Sequence, residues 1–282
     1  MKSRGNWQLV WGALAMLVAG CTNAPVRPVA SLPLPPVHAN GQALWRIVDQ
    51  KCVPGRLRAG DPAPCAAVSL AGGRTRGYAV LKDRAGIAQY LVMPTILISG
   101  IEDPRVTGPG AADYFTPAWK ARHLVEARAG RALQRDEIGI AVNSQYGRSQ
   151  DLLHLHVDCM RRDVRDALHD LVPVVGDSWS HRTVSLEGRS FYVRRVGGDE
   201  TVSANPFELV RTGFHVPQGE MKAWTVLLTG ADFAGRPGFL LLAARADPDH
   251  GNRGASEILL DHQCGVAGAV DAKGADARAG SN

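Results

Sequence analysis

"NSQYGRSQDLLHLHVDC", residues 143–159, opens as a polar loop and closes as an alternating run. Leu153, Leu155, Val157 and Cys159 fall on one face of a strand over Leu152 to Cys159, and Leu152, His154, His156 and Asp158 on the other. The two imidazoles therefore point the same way, about 7 Å apart along the strand. The Asn, Ser, Gly and Gln residues of "NSQYGRSQ" mark the preceding segment as a loop. One face of this strand belongs to a core, and the other offers two histidines beside a polar loop.

Working outward, "EIGIAVN" before the loop reads as a strand, and "RRDVRDALHDLV" after Cys159 reads as a helix. Upstream, "GYAVLKD" and "AQYLVMP" are two strands joined by a turn at "RAG". "DYFTPAWKARHLVEARAGRAL" has helical spacing with Pro117 in its first turn. "ALWRIVDQKC" is a short helix at the start of the domain. Downstream, "HRTVSLEGRSFYVRRV", "KAWTVLLTGAD" and "GFLLLAARA" are strand-like, with a helix at "NPFELVRTGF" and a closing helix at "GASEILLDHQC". The expected fold class is α+β, built on an antiparallel sheet with helices and extended by a strand-rich C-terminal half.

The chain has 282 residues, 45% hydrophobic and 21% charged, enough to bury a sizeable core. Its net charge of +5 fits an anionic substrate or membrane surface. No lysine and arginine block dominates, which argues against a nucleic-acid partner.

The N-terminus carries Lys2 and Arg4 and then an apolar stretch from Trp7 to Gly20, short for a membrane span and apt for an export signal. It ends in Val18-Ala19-Gly20-Cys21, which resembles a bacterial lipobox with Cys21 as the lipidated residue. An uncleaved signal-anchor is the alternative. Both place the rest of the chain on the periplasmic face of the inner membrane, and Thr22 permits transfer to an outer membrane. Residues 22–41 are proline-rich and read as a tether. Residues 42–265 form the expected domain, and residues 266–282 read as a disordered tail.

Four cysteines remain after Cys21, and an even count in an exported chain suggests two disulfides. Cys52 and Cys65 flank "VPGRLRAGDPAP", a glycine- and proline-rich loop, so they pair locally. Cys159 then pairs with Cys264. A zinc site competes with this reading, although the spacings lack short C-x-x-C knuckles.

Two imidazoles on one strand face suit nucleotidyl transfer: one attacks phosphorus, and its neighbour donates a proton or holds a phosphate oxygen. The H-x-H pattern alone also fits a metal pair or a surface strand without chemistry. No G-x-S-x-G elbow supports a serine nucleophile.

The surrounding order of elements resembles the histidine-triad superfamily of nucleotide hydrolases and transferases. The match is closest to its CDP-diacylglycerol pyrophosphatase branch. That resemblance rests on "QKC" with a downstream "PC", "VLKD", "QYLVMPT", Ala118-Trp119-Lys120-Ala121-Arg122, "NS..GRSQ", "HLHVDC", "R.DVR", "YVRRV", "NPF" and "ASEILLDHQC", which run in order from Lys51 to Cys264. It implies hydrolysis of CDP-diacylglycerol to CMP and phosphatidate, a substrate lying in the membrane. A tethered enzyme gains effective concentration on such a substrate.

The superfamily's H-x-H-x-H positions correspond here to Leu152, His154 and His156. The resemblance makes His154 the nucleophile and His156 its assistant at the phosphate, with Leu152 where the first histidine would stand. Gln89 replaces a supporting histidine after the hairpin turn. Lys82, Gln89, Asn143, Arg148 and Gln150 are the candidate substrate contacts. No metal or other cofactor is implied, since a covalent histidine does the work of a metal-activated water. Two other readings stay open: an exported hydrolase or transferase of soluble nucleoside diphosphate esters, and a lipoprotein that only binds nucleotide or metal.

Overall fold

The computed structural model describes residues 41–268. The expected lipobox at Cys21, most of the tether and the tail from residue 269 lie outside the described residues. Nine antiparallel strands form one sheet: β1 (Ala67–Ser69), β2 (Tyr78–Lys82), β3 (Tyr90–Pro94), β4 (Ile138–Val142), β5 (Leu155–Cys159), β6 (Val184–Leu186), β7 (Arg189–Gly197), β8 (Trp224–Asp232) and β9 (Pro237–Arg245). Their order across the sheet is β1-β2-β3-β5-β4-β8-β9-β7-β6. With its helices this is the expected α+β class.

The helix α1 runs through three contiguous segments, Ala43–Ile47, a π-helical turn Val48–Cys52, and Val53–Ala59. The other α-helices are α2 (Phe115–Ala129), α3 (Arg162–His169) and α4 (Pro206–Gly213).

One face of the sheet carries a single large core. Val92, Leu155, Val157, Ile138, Ile140, Val226 and Leu241 pack there with Phe115, Trp119 and Val125 of α2 and Phe207 of α4. Burying side chains of this size is worth about 1.5–3 kcal/mol each. The second face is divided. Under α1, Leu81, Leu91, Met93 and Leu152 meet Val48, Cys52 and Val53. Under α3, Ala141, Leu227 and Leu242 meet Val164, Leu168, Leu259 and Leu260. His156 pairs in register with Leu91 of β3 on one side and Ala141 of β4 on the other. It therefore lies on the second face, at the seam between the two clusters. The alternation read from the sequence holds: Leu153, Leu155, Val157 and Cys159 are in the large core, and Leu152 is across the sheet in the cluster under α1.

Several boundaries differ from the sequence reading. The strand begins at Leu155 rather than Leu152, because Leu153 gives its amide to Ile98 at 2.7 Å and leaves the ladder. The segment after Cys52 is helical to Ala59, not a loop. Gly55 explains how the chain then folds back: a Cβ there would meet the Asp61 carbonyl at 2.5 Å. The β2–β3 connection takes residues 83–89, longer than a tight turn, and β1 adds a short edge strand.

The expected closing helix at "GASEILLDHQC" is only the 3₁₀ turn Ser256–Leu259. Ser256 is fully buried, its hydroxyl donates to the Val226 carbonyl at 2.6 Å, and its amide donates to Thr225 Oγ1. Those bonds lay the segment along β4 and β8 in place of a helix ladder. The first residues of the expected tail are also ordered: Val266 is buried, and Arg131 bonds the carbonyls of Val266 and Ala267.

Both expected disulfides are formed, Cys52–Cys65 and Cys159–Cys264. The second ties the last described segment to the end of the histidine strand. Among the described residues no helix is long and apolar enough to cross a membrane.

Candidate active site

A cleft of about 540 Å³ opens at the seam of the divided face. Ala43, Leu44 and Ile47 of α1, with Leu81 and Leu91 from the sheet, give it an apolar wall. Lys82, Asn143, Gln150, His154, His156 and Glu257 give it a polar one. A cleft of this size that sets convergent polar and charged groups against an apolar wall can hold a small amphiphilic molecule.

His154 and His156 stand side by side, ring centroids 4.7 Å apart, and are 6% and 5% exposed. His154 Nδ1 is 2.6 Å from the Leu152 carbonyl. A carbonyl only accepts, so Nδ1 carries the proton and Nε2 keeps its lone pair. Burial and the neighbouring His156 pull His154 down to about 4, against the opposing pull of that carbonyl. Burial likewise takes His156 to about 4, with the Asp83 charge opposing and His262 adding to it. Both rings are therefore neutral at neutral pH.

His156 Nδ1 has two neighbours at 3.1 Å, Gln89 Nε2 and Glu257 Oε1. Its Nε2 is buried with no hydrogen-bond partner among the described residues. Gln89 is fully buried, and its amide also donates to Asp83 Oδ2 at 2.7 Å. Gln89 thus touches His156 from behind.

The other expected residues divide. Lys82 lines the cleft, and its ammonium donates to the carbonyls of Asp83 at 2.6 Å and Gly86 at 3.0 Å. Burial lowers its pKa from the ordinary lysine value. One of its three N–H donors is left over. Gln150 lines the cleft and accepts the Leu44 amide at 3.2 Å, which joins the loop to α1. Asn143 lines it too, but its side chain is engaged at both ends by Glu257: Nδ2 donates to Oε2 at 2.9 Å, and Oδ1 accepts the Glu257 amide at 3.2 Å.

Arg148 is not among the cleft-lining residues. It is buried and forms a two-pronged pair with Glu102, at 2.9 Å and 2.8 Å. Gly100 leaves the space for this: a Cβ there would collide with the guanidinium. Arg148 therefore braces the loop from behind.

Sequence reasoning missed Glu257, Asp83 and the Asp158–His262 pair. Asp158 is fully buried on β5, and its carboxylate sits 3.0 Å from His262 Nδ1. That bond holds His262 above the ordinary histidine range. The signal was present: Asp158 shares the histidines' strand face, and Glu257 is the lone charge in the apolar run "ASEILL". Among the described residues no group of three or more His, Cys, Asp or Glu side chains is placed to hold a metal ion.

A sequence profile of the CDP-diacylglycerol pyrophosphatase family matches residues 39–268. A protein of Yersinia pestis described as a CDP-diacylglycerol pyrophosphatase is 36% identical over 228 residues, covering 81% of this chain and 86% of its own length. The matched range contains the whole described fold, both histidines and both disulfides. The chain belongs to the CDP-diacylglycerol pyrophosphatase family.

Proposed function

We propose that the cleft hydrolyses CDP-diacylglycerol to CMP and phosphatidate through a covalent CMP–histidine intermediate on His154. Family membership supplies the hydrolase and its substrate. The observation that carries the mechanism is the bond from His154 Nδ1 to the Leu152 carbonyl, which leaves Nε2 as a neutral nucleophile facing the cleft.

In the first step Nε2 attacks the phosphorus bonded to the cytidine side. The P–N bond forms, the P–O bond to phosphatidate breaks, and phosphatidate leaves with the bridging oxygen. His156 Nε2–H is the donor for that oxygen. In the second step water attacks the same phosphorus, the P–N bond breaks, and CMP leaves with the oxygen of water. One water is consumed and one proton is released.

Lys82 and Gln150 are the proposed contacts for the phosphates and the nucleotide. Gln89 and Asn143 act one layer back, on His156 and Glu257, and Arg148 acts through the loop. The apolar wall of α1 suits the diacylglycerol half of an amphiphile. A segment at residues 1–40 that anchors the chain on the periplasmic face of a membrane would bring the cleft to the bilayer, where this substrate lies.

The test uses the chain with CDP-diacylglycerol in detergent micelles, and follows CMP and phosphatidate for wild type and His154→Ala. Equal release of both by wild type, and loss in a folded variant, is expected. Release from soluble CDP-alcohols but not from the lipid would replace the lipid substrate by a soluble one.

A further inference from the structure

Glu257 stands at the centre of the polar network behind the two histidines. Asn143 fixes one carboxylate oxygen. The other, Oε1, lies 3.1 Å from His156 Nδ1, 3.3 Å from Gln89 Nε2 and 3.7 Å from His262 Nε2. The Gln89 amide has two protons. One goes to Asp83, and the second is within reach of both His156 Nδ1 and Glu257 Oε1. His156 Nδ1 thus has two partners at the same distance. Gln89 Nε2 can only donate to it, and the Glu257 carboxylate can only accept from it.

The two steps of the reaction ask opposite things of His156. The first needs a proton on Nε2, to meet the departing oxygen. The second needs a lone pair on Nε2, to take a proton from water. We propose that Glu257 is the positioning residue that makes His156 the general base of the second step, by accepting its Nδ1–H while Nε2 takes the proton of the attacking water. Gln89 holds the Nε2–H form, Glu257 holds the Nδ1–H form, and the ring need not move between them.

The proton balance closes. Phosphatidate leaves with the electron pair of the broken P–O bond. Between the steps the neutral ring exchanges its proton from Nε2 to Nδ1 through solvent. Water then gives one proton to Nε2 as its oxygen bonds to phosphorus, so His156 becomes doubly protonated with Nδ1–H on Glu257. Loss of the Nδ1 proton to solvent restores the Gln89-bound form. The groups that face His156 are His154 from its own segment, Asp83 and Gln89 from the β2–β3 connection, and Glu257 and His262 from the final segment. Asp158 stands behind His262.

This inference rests on the hydrolase reading above, and its test separates the two. In rapid-quench experiments with CDP-diacylglycerol in micelles, Glu257→Gln is expected to release phosphatidate in a burst of about one per enzyme. CMP should follow at least about 100-fold more slowly than in wild type. Its kcat falls with KM, so kcat/KM stays within about threefold of wild type. Glu257→Asp, which keeps the charge with a shorter reach, recovers part of the second step, and carries the test should the glutamine variant not fold. Phosphatidate and CMP falling together, without a burst, would overturn the proposal.

If wild type forms neither product, the hydrolase reading fails. The role of Glu257 is then decided by ¹⁵N shifts of His156 in the ligand-free protein at pH 7. A swing of the ring toward the Nε2–H form in Glu257→Gln supports it, and an unchanged tautomer refutes it.

Discussion

His154 is bonded to the main-chain carbonyl of Leu152, two residues back, at 2.6 Å. The bond is made by the backbone of the same segment, so the tautomer of the nucleophile is set by local geometry and needs no second side chain. ¹⁵N-histidine spectra at pH 7 should show His154 protonated on Nδ1 alone. Removing the ring in His154→Ala should lower kcat by about four orders of magnitude, the scale on which nucleophile deletions act. A loss of less than tenfold would point to His156 as the attacking group.

Burial, more than any charge, holds both imidazoles near 4. A histidine with a lowered pKa stays neutral over a wider range, so the nucleophile is available from neutral pH down to that value and is lost below it. The kcat/KM profile should be flat from about pH 7.5 to 5 and fall as pH drops through about 4. A profile that falls already at pH 6.5, the ordinary histidine value, would show that the rings are solvated in the working enzyme.

Arg148 and Glu102 form a closed pair beneath the loop. Burial raises the Glu102 carboxyl, but the hydrogen bonds and charge of Arg148 outweigh it and leave its pKa below the usual range. A depressed carboxyl contributes stability that is present above its unfolded pKa and lost as pH falls through the folded one. Arg148→Ala leaves the half-buried Glu102 carboxylate with only the Ser99 hydroxyl as a side-chain partner and should cost up to about 3–5 kcal/mol in chemical denaturation. It should also flatten the acid limb of the stability curve. A variant as stable as wild type with a raised KM would instead make Arg148 a direct substrate contact.

His262 behaves in the opposite sense. Its Nδ1–H donates to the Asp158 carboxylate, and that bond raises its pKa above that of the unfolded chain. Its stabilisation is complete below the unfolded value near 6.5 and is lost as pH rises through the higher folded value. Thermal melts between pH 6 and 9 should show this decline in wild type and its absence in Asp158→Asn.

The alternation of "LLHLHVDC" was enough to place two histidines on one face and four apolar residues on the other, because period two is a property of the strand itself. The same reasoning found every long strand and α2. It could not show that the histidine face is buried, since that depends on α1, far away in sequence, packing over β1 to β3 beside the histidine strand. The final segment was misread for a related reason. "ASEILLDHQC" looks helical by composition, but Ser256 finds its partners on β8 and not in its own chain. Glu257 follows from that misreading: a residue reaches the histidines only once the segment lies flat along β4. Arg148 shows the same limit, because Glu102 is 46 positions away in sequence.

The most direct measurement of the central claim is hydrolysis of CDP-diacylglycerol in ¹⁸O-labelled water, with mass analysis of both products. Attack of His154 on the cytidine-side phosphorus, followed by water at that same atom, puts the label in CMP and none in phosphatidate. Label in phosphatidate would mean that the other phosphorus is attacked, and would contradict the account.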